Sequence, residues 1–176
     1  MMKNNKGYTL IEMLAVIGVF VILVGMISAI LFSTVRGSNK SKISGQVSQD
    51  GAYAMSLLSN SIIDSGAVTE LPVGTAIDDC TTNPTGTSIK LKRLDETTTT
   101  FACENNTMTK DGNPVVNSNY TQITSCSFTC QQKSDDPYSI PIISIGFTIS
   151  DKNANLFENK SSSTLSTKVS LRNYAP

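Results

Sequence analysis

One uninterrupted apolar segment near the start dominates this sequence of 176 residues. From Met13 to Phe32 there are 20 residues without a charge, MLAVIGVFVILVGMISAILF. A helix rises about 1.5 Å per residue, so this segment would be about 30 Å long, the thickness of the hydrocarbon core of a bilayer. The sequence therefore predicts one helix that can cross a membrane.

Basic residues stand on both sides of the apolar segment: Lys3 and Lys6 before it, and Arg36, Lys40 and Lys42 after it. A secretory signal peptide also begins with a positive region, but this run is longer than a typical signal core and no small-x-small cleavage site follows it. A generic single-pass anchor stays open as an alternative. Because positive residues lie at both ends, the usual charge bias does not decide its orientation.

Glu12 lies at the entrance to the apolar segment, where a carboxylate is costly and generally marks a function. It ends the stretch Lys6-Gly7-Tyr8-Thr9-Leu10-Ile11-Glu12. This stretch resembles the cleavage and methylation signature of type IV pilins and type II secretion pseudopilins. That signature combines a short basic leader, a glycine, an aromatic residue, the sequence T-L-I-E and a long apolar run. Tyr8 stands where phenylalanine is usual.

The resemblance implies how the N-terminus is processed. A membrane aspartyl peptidase, the prepilin peptidase, would cut between Gly7 and Tyr8 and then methylate the new amine of Tyr8. Gly7 suits a scissile bond because a residue without Cβ lets a peptidase approach the backbone closely. Glu12 would pair with the positive N-terminal amine of an adjacent subunit. This pair would set register more than it adds affinity, because desolvation offsets much of the attraction.

An apolar stripe predicts that the helix continues beyond the membrane. Apolar residues recur at intervals close to 3.6 residues, the period of an α-helix. An Asp50-Gly51 turn is expected to fall between them. We expect a sheet to cover this stripe. Gly66 is the predicted stop of the helix. The residues of the stripe are Ile43, Val47, Ala54, Leu58 and Ile62.

From Leu71 onward the period changes to two, which is typical of strands. Asn105-Asn106 and the four residues 111–114 are predicted turns. Five or six short strands after one long helix indicate an α+β fold with an antiparallel sheet folded on the stripe, and this arrangement resembles the lollipop shape of pilins. The strand candidates are 88–94, 98–104, 107–110, 122–131, 141–150 and 165–172.

The predicted organisation has four parts. Residues 1–7 are a leader peptide, 8–32 a helix of the membrane and then of the filament core, 33–66 its amphipathic continuation, and 67–176 a β-rich domain outside the cytoplasm. The strand-rich tail, which ends in 169–174, is also similar to that of the J-type minor pseudopilins.

The four cysteines, Cys80, Cys103, Cys126 and Cys130, contain no C-x-x-C pair, so a zinc or redox site is not expected. An even number in an exported domain predicts two disulfides, and three connectivities are open. If 126–130 is one strand, its two cysteines lie about 13 Å apart and cannot bond each other. Cys103 ends the second predicted strand, near where the first begins, and Cys80 lies just before that start, which favours Cys80 with Cys103. This choice forces Cys126 with Cys130 and requires a bulge or turn there. Free buried thiols stay open as the alternative.

Composition argues against several kinds of chemistry. The chain has no histidine, so Ser-His-Asp catalysis and histidine-ligated metals are excluded. Its 14 basic and 14 acidic residues balance, so nothing indicates a nucleic-acid partner. The stretch 151–155, DKNAN, resembles the start of a calcium loop, but Leu156 and Ser162 occupy positions that an EF-hand reserves for glycine and glutamate. We expect no enzyme activity, no metal and no cofactor.

The resemblance implies a structural subunit of a type IV pilus or of a type II secretion pseudopilus. Its implied partners are prepilin peptidase, other pilin or pseudopilin subunits, the inner-membrane assembly platform, and membrane lipid before assembly. The chain would first cross the cytoplasmic membrane once, with its C-terminal domain outside the cytoplasm, and then enter the filament. Two alternatives stay open: a competence pseudopilin for DNA uptake, or a non-polymerising membrane protein whose β domain binds a ligand.

Overall fold

The structure, a computed structural model, describes residues 7–134, 136, 139–152 and 161–174. It divides into two compact units, residues 1–41 and 42–176. One α-helix, α1, runs from Leu10 to Ile63 without a break. The turn expected at Asp50-Gly51 is wrong, because both residues are helical. The helix also ends at Ile63, before the predicted stop at Gly66.

In the first unit, residues 10–41 belong to α1, and 13–32 are its apolar part. The segment is long and apolar enough to cross a membrane, and none of its 18 most apolar consecutive residues is buried. Polar side chains within it satisfy their own hydrogen bonds. The Ser28 hydroxyl donates to the carbonyl of Val24 at 2.8 Å, and the Thr34 hydroxyl donates to the carbonyl of Ile30 at 2.9 Å. Such bonds one turn back give these two hydroxyl groups a partner within the helix itself.

The second unit holds the C-terminal part of α1 and nine described strands, which pair only with antiparallel neighbours. The first sheet has five strands in the order β1-β3-β4-β5-β6, and the second has four in the order β2-β7-β8-β9. Their bounds are β1 Ser65–Glu70, β2 Thr85–Gly86, β3 Ser88–Arg93, β4 Thr98–Glu104, β5 Thr107–Lys110, β6 Asn113–Pro114, β7 Thr121–Gln131, β8 Ile142–Asp151 and β9 Ser162–Ser170.

The α+β fold predicted from the sequence is confirmed, and all six strand candidates correspond to strands. Three further strands, β1, β2 and β6, were not predicted. The two-residue strands β2 and β6 are too short to show a periodicity. Strand β1, SGAVTE, has only one large apolar residue, Val68, and its pairing with β3 has two register shifts. With these additions the strands form two sheets rather than one.

The predicted helix stripe forms the centre of the core. Ala54, Leu58 and Ile62 have no exposed surface, Val47 is 1% exposed, and Ile43 packs at the margin. Facing side chains come from both sheets, including the fully buried Phe101 of β4, Phe128 of β7 and Phe147 of β8. Burying a side chain of this size contributes about 1.5–3 kcal/mol relative to exposing it. All buried apolar residues of the described chain lie between 47 and 171, so the second unit carries its own core.

At Gly51, α1 comes close to strands β8 and β9 of the second sheet. A Cβ placed on Gly51 would lie 2.8 Å from the Leu165 Cδ1 atom of β9 and 3.1 Å from the Ile149 Cγ2 atom of β8. Both distances are shorter than ordinary carbon contacts, which are about 3.5–4.0 Å. The glycine in the stripe therefore permits close packing between helix and sheet rather than a turn.

Candidate processing and assembly site at the N-terminus

The predicted cleavage position lies just before α1. Residues 7–9 have no regular secondary structure, and the helix begins at Leu10. Nothing lies within 4 Å of where a Cβ on Gly7 would stand, and Tyr8 is 85% exposed. The peptide bond between these two residues is therefore open to an approaching peptidase.

Thr9 and Glu12 cap the start of α1 through reciprocal hydrogen bonds. The Glu12 Oε2 atom accepts from the backbone N–H of Thr9 and from the Thr9 hydroxyl, both at 3.0 Å. In return the Thr9 Oγ1 atom accepts from the backbone N–H of Glu12 at 3.3 Å. This arrangement is a capping box, in which an N-cap threonine and a glutamate three residues later satisfy two N–H groups left free at a helix start.

The capping box gives Glu12 a partner within its own chain. The sequence T-x-x-E directly before an apolar run is the known signature of this cap, so the sequence contained the signal, although the family resemblance implied only a partner in a neighbouring subunit. The carboxylate also lies at the positive end of the helix dipole, where a negative charge is favourable. Oε1, the second carboxylate oxygen, accepts no hydrogen bond from the residues that the structure describes.

Comparison with known proteins concerns this same segment. Residues 2–28 match the family model of the prokaryotic N-terminal methylation motif. The chain carries a prepilin-type N-terminus. The motif is the signature of type IV pilins and pseudopilins, and it supports a prepilin-like substrate. It suggests a structural rather than a catalytic protein, and together with the apolar helix it fits a membrane-anchored one. No curated protein and no solved structure matches the chain significantly, so the comparisons bear on residues 2–28 alone.

Both disulfides of this prepilin-like chain lie in its β domain. The structure pairs Cys80 with Cys130 and Cys103 with Cys126, and no cysteine is free. The connectivity favoured from the sequence, Cys80 with Cys103 and Cys126 with Cys130, is wrong. Cys126 and Cys130 lie on one continuous strand, β7, so the distance argument against bonding them holds.

The two bridges differ in position and burial. Cys103 on β4 and Cys126 on β7 tie the first sheet to the second, and both are only partly buried. Cys80 precedes β2 and is 2% exposed, while Cys130 has no exposed surface. Sequence distance alone could not find this pairing, because it depends on how β4 and the segment around Cys80 lie beside β7.

An ion pair on the first sheet is the best-defined charge contact of the β domain. The Lys90 Nζ atom lies 2.7 Å from the Glu70 Oε1 atom, and the backbone N–H of Gly74 donates to Glu70 Oε2 at 2.7 Å. The hydrogen bond from Lys90, with that from Gly74, holds the pKa of Glu70 below its ordinary value. Because the pair is partly exposed, it is a local contact of β1 with β3 that contributes little to stability.

The stretch that resembles the start of a calcium loop, 151–155, begins at the last residue of β8. Within the described ranges, no three His, Cys, Asp or Glu side chains come together as a metal site. Residues 153–155 of the loop considered above, together with Leu156, lie outside the described residues.

Proposed function

We propose that this chain is a structural subunit of a type IV pilus or of a type II secretion pseudopilus. The observation that carries the proposal is the methylation motif at residues 2–28, which runs directly into a 54-residue helix. The part of this helix from 13 to 32 is apolar all round and requires an apolar surrounding, first lipid and then the packed helices of a filament. The β domain, residues 67–176, then forms the outer part of that filament.

In this proposal prepilin peptidase removes residues 1–7 and methylates the amine of Tyr8. The cut removes Lys3 and Lys6, so 12 basic side chains remain against 14 acidic ones, and the new amine offsets one negative charge. Helix residues 8–32 then leave the membrane through the assembly platform and join the cores of other subunits. The exposed backbone at Gly7 supports this step, because a peptidase needs non-helical, accessible chain.

Glu12 has two roles in the proposal. Its Oε2 atom caps α1 within the subunit, as the hydrogen bonds to Thr9 show. Its Oε1 atom accepts from the methylated N-terminal amine of Tyr8 in the next subunit. A carboxylate has acceptor positions for both partners at once, so the cap does not have to break when subunits assemble.

The processing step is tested by the intact mass and N-terminal sequence of protein from cells with an active prepilin peptidase. We expect the mature chain to begin at methylated Tyr8. Gly7→Ile should block the cut, whereas Gly18→Ile, at another glycine with nothing within 4 Å of its Cβ position, should leave it unchanged. A mature protein that still begins at Met1 would contradict the proposal and favour a non-polymerising membrane protein.

The two roles of Glu12 are separated by three variants. Glu12→Gln keeps the capping box, since glutamine also serves there, but removes the charge. Glu12→Val removes both, and Thr9→Ala removes the cap while keeping the carboxylate. We expect all three to be cut after Gly7. Incorporation into filaments should be lost in both Glu12 variants and kept in Thr9→Ala. Normal assembly of Glu12→Gln would show that Glu12 acts only as a cap.

A further inference from the structure

Strand β9 forms a free edge of the second sheet. It is the last strand in the order β2-β7-β8-β9, and it pairs with β8 over nine consecutive residues, from Ser162 to Ser170. On its other side, no backbone hydrogen bond reaches β9 from any residue that the structure describes. A row of unpaired N–H and C=O groups along an edge is a template for another strand.

Other sheet edges in the described chain are short or covered. Strands β2 and β6 have two residues each. The outer side of β1 is covered by its own chain, because the N–H of Ile77 donates to the carbonyl of Thr69 and Glu70 forms a bridge with Ala76. Among the described strands, β9 is therefore the one long edge that lacks a cover.

The solvent-facing side chains of β9 suit a neighbouring strand of the same kind. Alternate residues from Ser162 to Ser170 are exposed, and four of these five carry hydroxyl groups. A hydroxyl contact already crosses from β8, since the Thr148 and Thr164 Oγ1 atoms lie 3.0 Å apart. Cross-strand pairs of Ser and Thr stabilise sheets by such contacts.

We propose that β9 pairs antiparallel with β9 of a second copy of this chain, about a two-fold axis at Ser166. This register pairs all nine residues and joins two four-stranded sheets into one of eight strands. The inference goes beyond the proposed function and does not depend on N-terminal processing, because both strands lie in the β domain.

Lys168, the single charge of β9, favours this register over its neighbours. With Ser166 opposite Ser166, each Lys168 faces Thr164 of the other copy. The two ammonium groups then lie about 14 Å apart along the strands, farther than the Debye length of about 8 Å at physiological salt. A slide that brings Lys168 opposite Lys168 would place like charges together and leave only five residues paired.

Cross-linking tests the pairing in purified full-length protein in detergent. Because the native cysteines are all bonded, an added cysteine would be the one free thiol. In the proposed register, residues directly opposite have Cα atoms about 4.5–5.5 Å apart, within disulfide range. Ser166→Cys should therefore give a covalent dimer under mild oxidation. Ser162→Cys alone should not, since its two copies lie about 27 Å apart, but mixing it with Ser170→Cys should.

A charge pair of variants tests the same contact without new thiols. Thr164→Glu would place a carboxylate opposite Lys168 of the other copy twice per dimer, and Thr164→Lys would place a second ammonium there. Both lose the contact with Thr148, so each controls for the other. We expect their dimer dissociation constants to differ about tenfold or more, with Glu the tighter, by sedimentation of residues 42–176.

Two outcomes would overturn the proposal. One is a Ser166→Cys protein that stays monomeric or bonds only to a different protein, which would assign the edge to another partner. The other is equal self-association of Thr164→Glu and Thr164→Lys, which would show that copies associate through another surface.

Discussion

Removing the two disulfides one at a time should destabilise the β domain unequally, because one bridge is nested inside the other. Cys103–Cys126 closes a separation of 23 residues and lies within the separation of 50 that Cys80–Cys130 closes. A disulfide stabilises mainly by restricting the unfolded chain, and more so for a longer loop. The relevant loop for each bridge is the one that it closes while the other bridge is intact.

The inner bridge is Cys103–Cys126 and the outer one is Cys80–Cys130. With the inner bridge in place, the loop that the outer bridge closes runs 23 residues from Cys80 to Cys103, crosses the inner bridge, and runs four more from Cys126 to Cys130. The loop-entropy relation gives about 3.5 kcal/mol for this path of about 27 residues. With the outer bridge in place, the inner one divides a loop of 50 into arcs of 23 and about 27 residues, which together act as one loop of about 12, and it contributes about 2.9 kcal/mol. Alone, the outer bridge closes a loop of 50 and contributes about 4.1 kcal/mol, so with the inner bridge added the two contribute about 7 kcal/mol, a large share of the roughly 5–15 kcal/mol typical of a domain.

Urea unfolding of residues 42–176 measures these differences, with Ala in place of each cysteine pair. We expect the Cys80→Ala/Cys130→Ala protein to lose more free energy of unfolding than Cys103→Ala/Cys126→Ala. Its buried sulfur atoms also lose packing, which widens the gap. Reduced wild-type protein serves as the control and should resemble the variant without either bridge. An equal or larger loss from the inner pair would refute the nested-loop reasoning.

Two further predictions concern packing and pH. Gly45→Ala should raise the free energy of unfolding by about 0.5–1 kcal/mol, because nothing lies within 4 Å of the new Cβ. Gly51→Ala should raise it less or lower it, because its Cβ would lie 2.8 Å from Leu165 Cδ1. Thermal melts of both variants in detergent check this, and equal shifts would contradict it. Since the pKa of Glu70 is lowered by Lys90, its stabilisation is present above the ordinary carboxyl pKa and is lost as pH falls through the lower folded value. Glu70→Gln should therefore lower stability at about pH 6, and its difference from wild type should disappear as the pH falls through the lowered folded pKa of Glu70; a constant difference would argue against the ion pair as the cause.

The local features of this protein were readable from the sequence because short stretches determine them. The run 13–32 predicts an apolar helix from its length, and the stripe at Val47, Ala54, Leu58 and Ile62 identifies the helix face that is buried. The period of two predicts six strands whose ends agree with those in the structure to within a few residues. The capping box also follows from four consecutive residues, 9–12, because T-x-x-E before an apolar run marks the start of a helix.

Only the tertiary structure decides the contacts between residues that are far apart in the chain. Cys80 bonds Cys130 because the segment before β2 lies beside the end of β7, and no spacing rule shows this. Gly51 appears in the sequence as part of a turn, yet it is helical and its missing side chain lets β8 and β9 approach. The free edge of β9 likewise depends on the order of strands in the sheet. Sequence patterns specify which face of an element is apolar, whereas packing selects the partner that covers it.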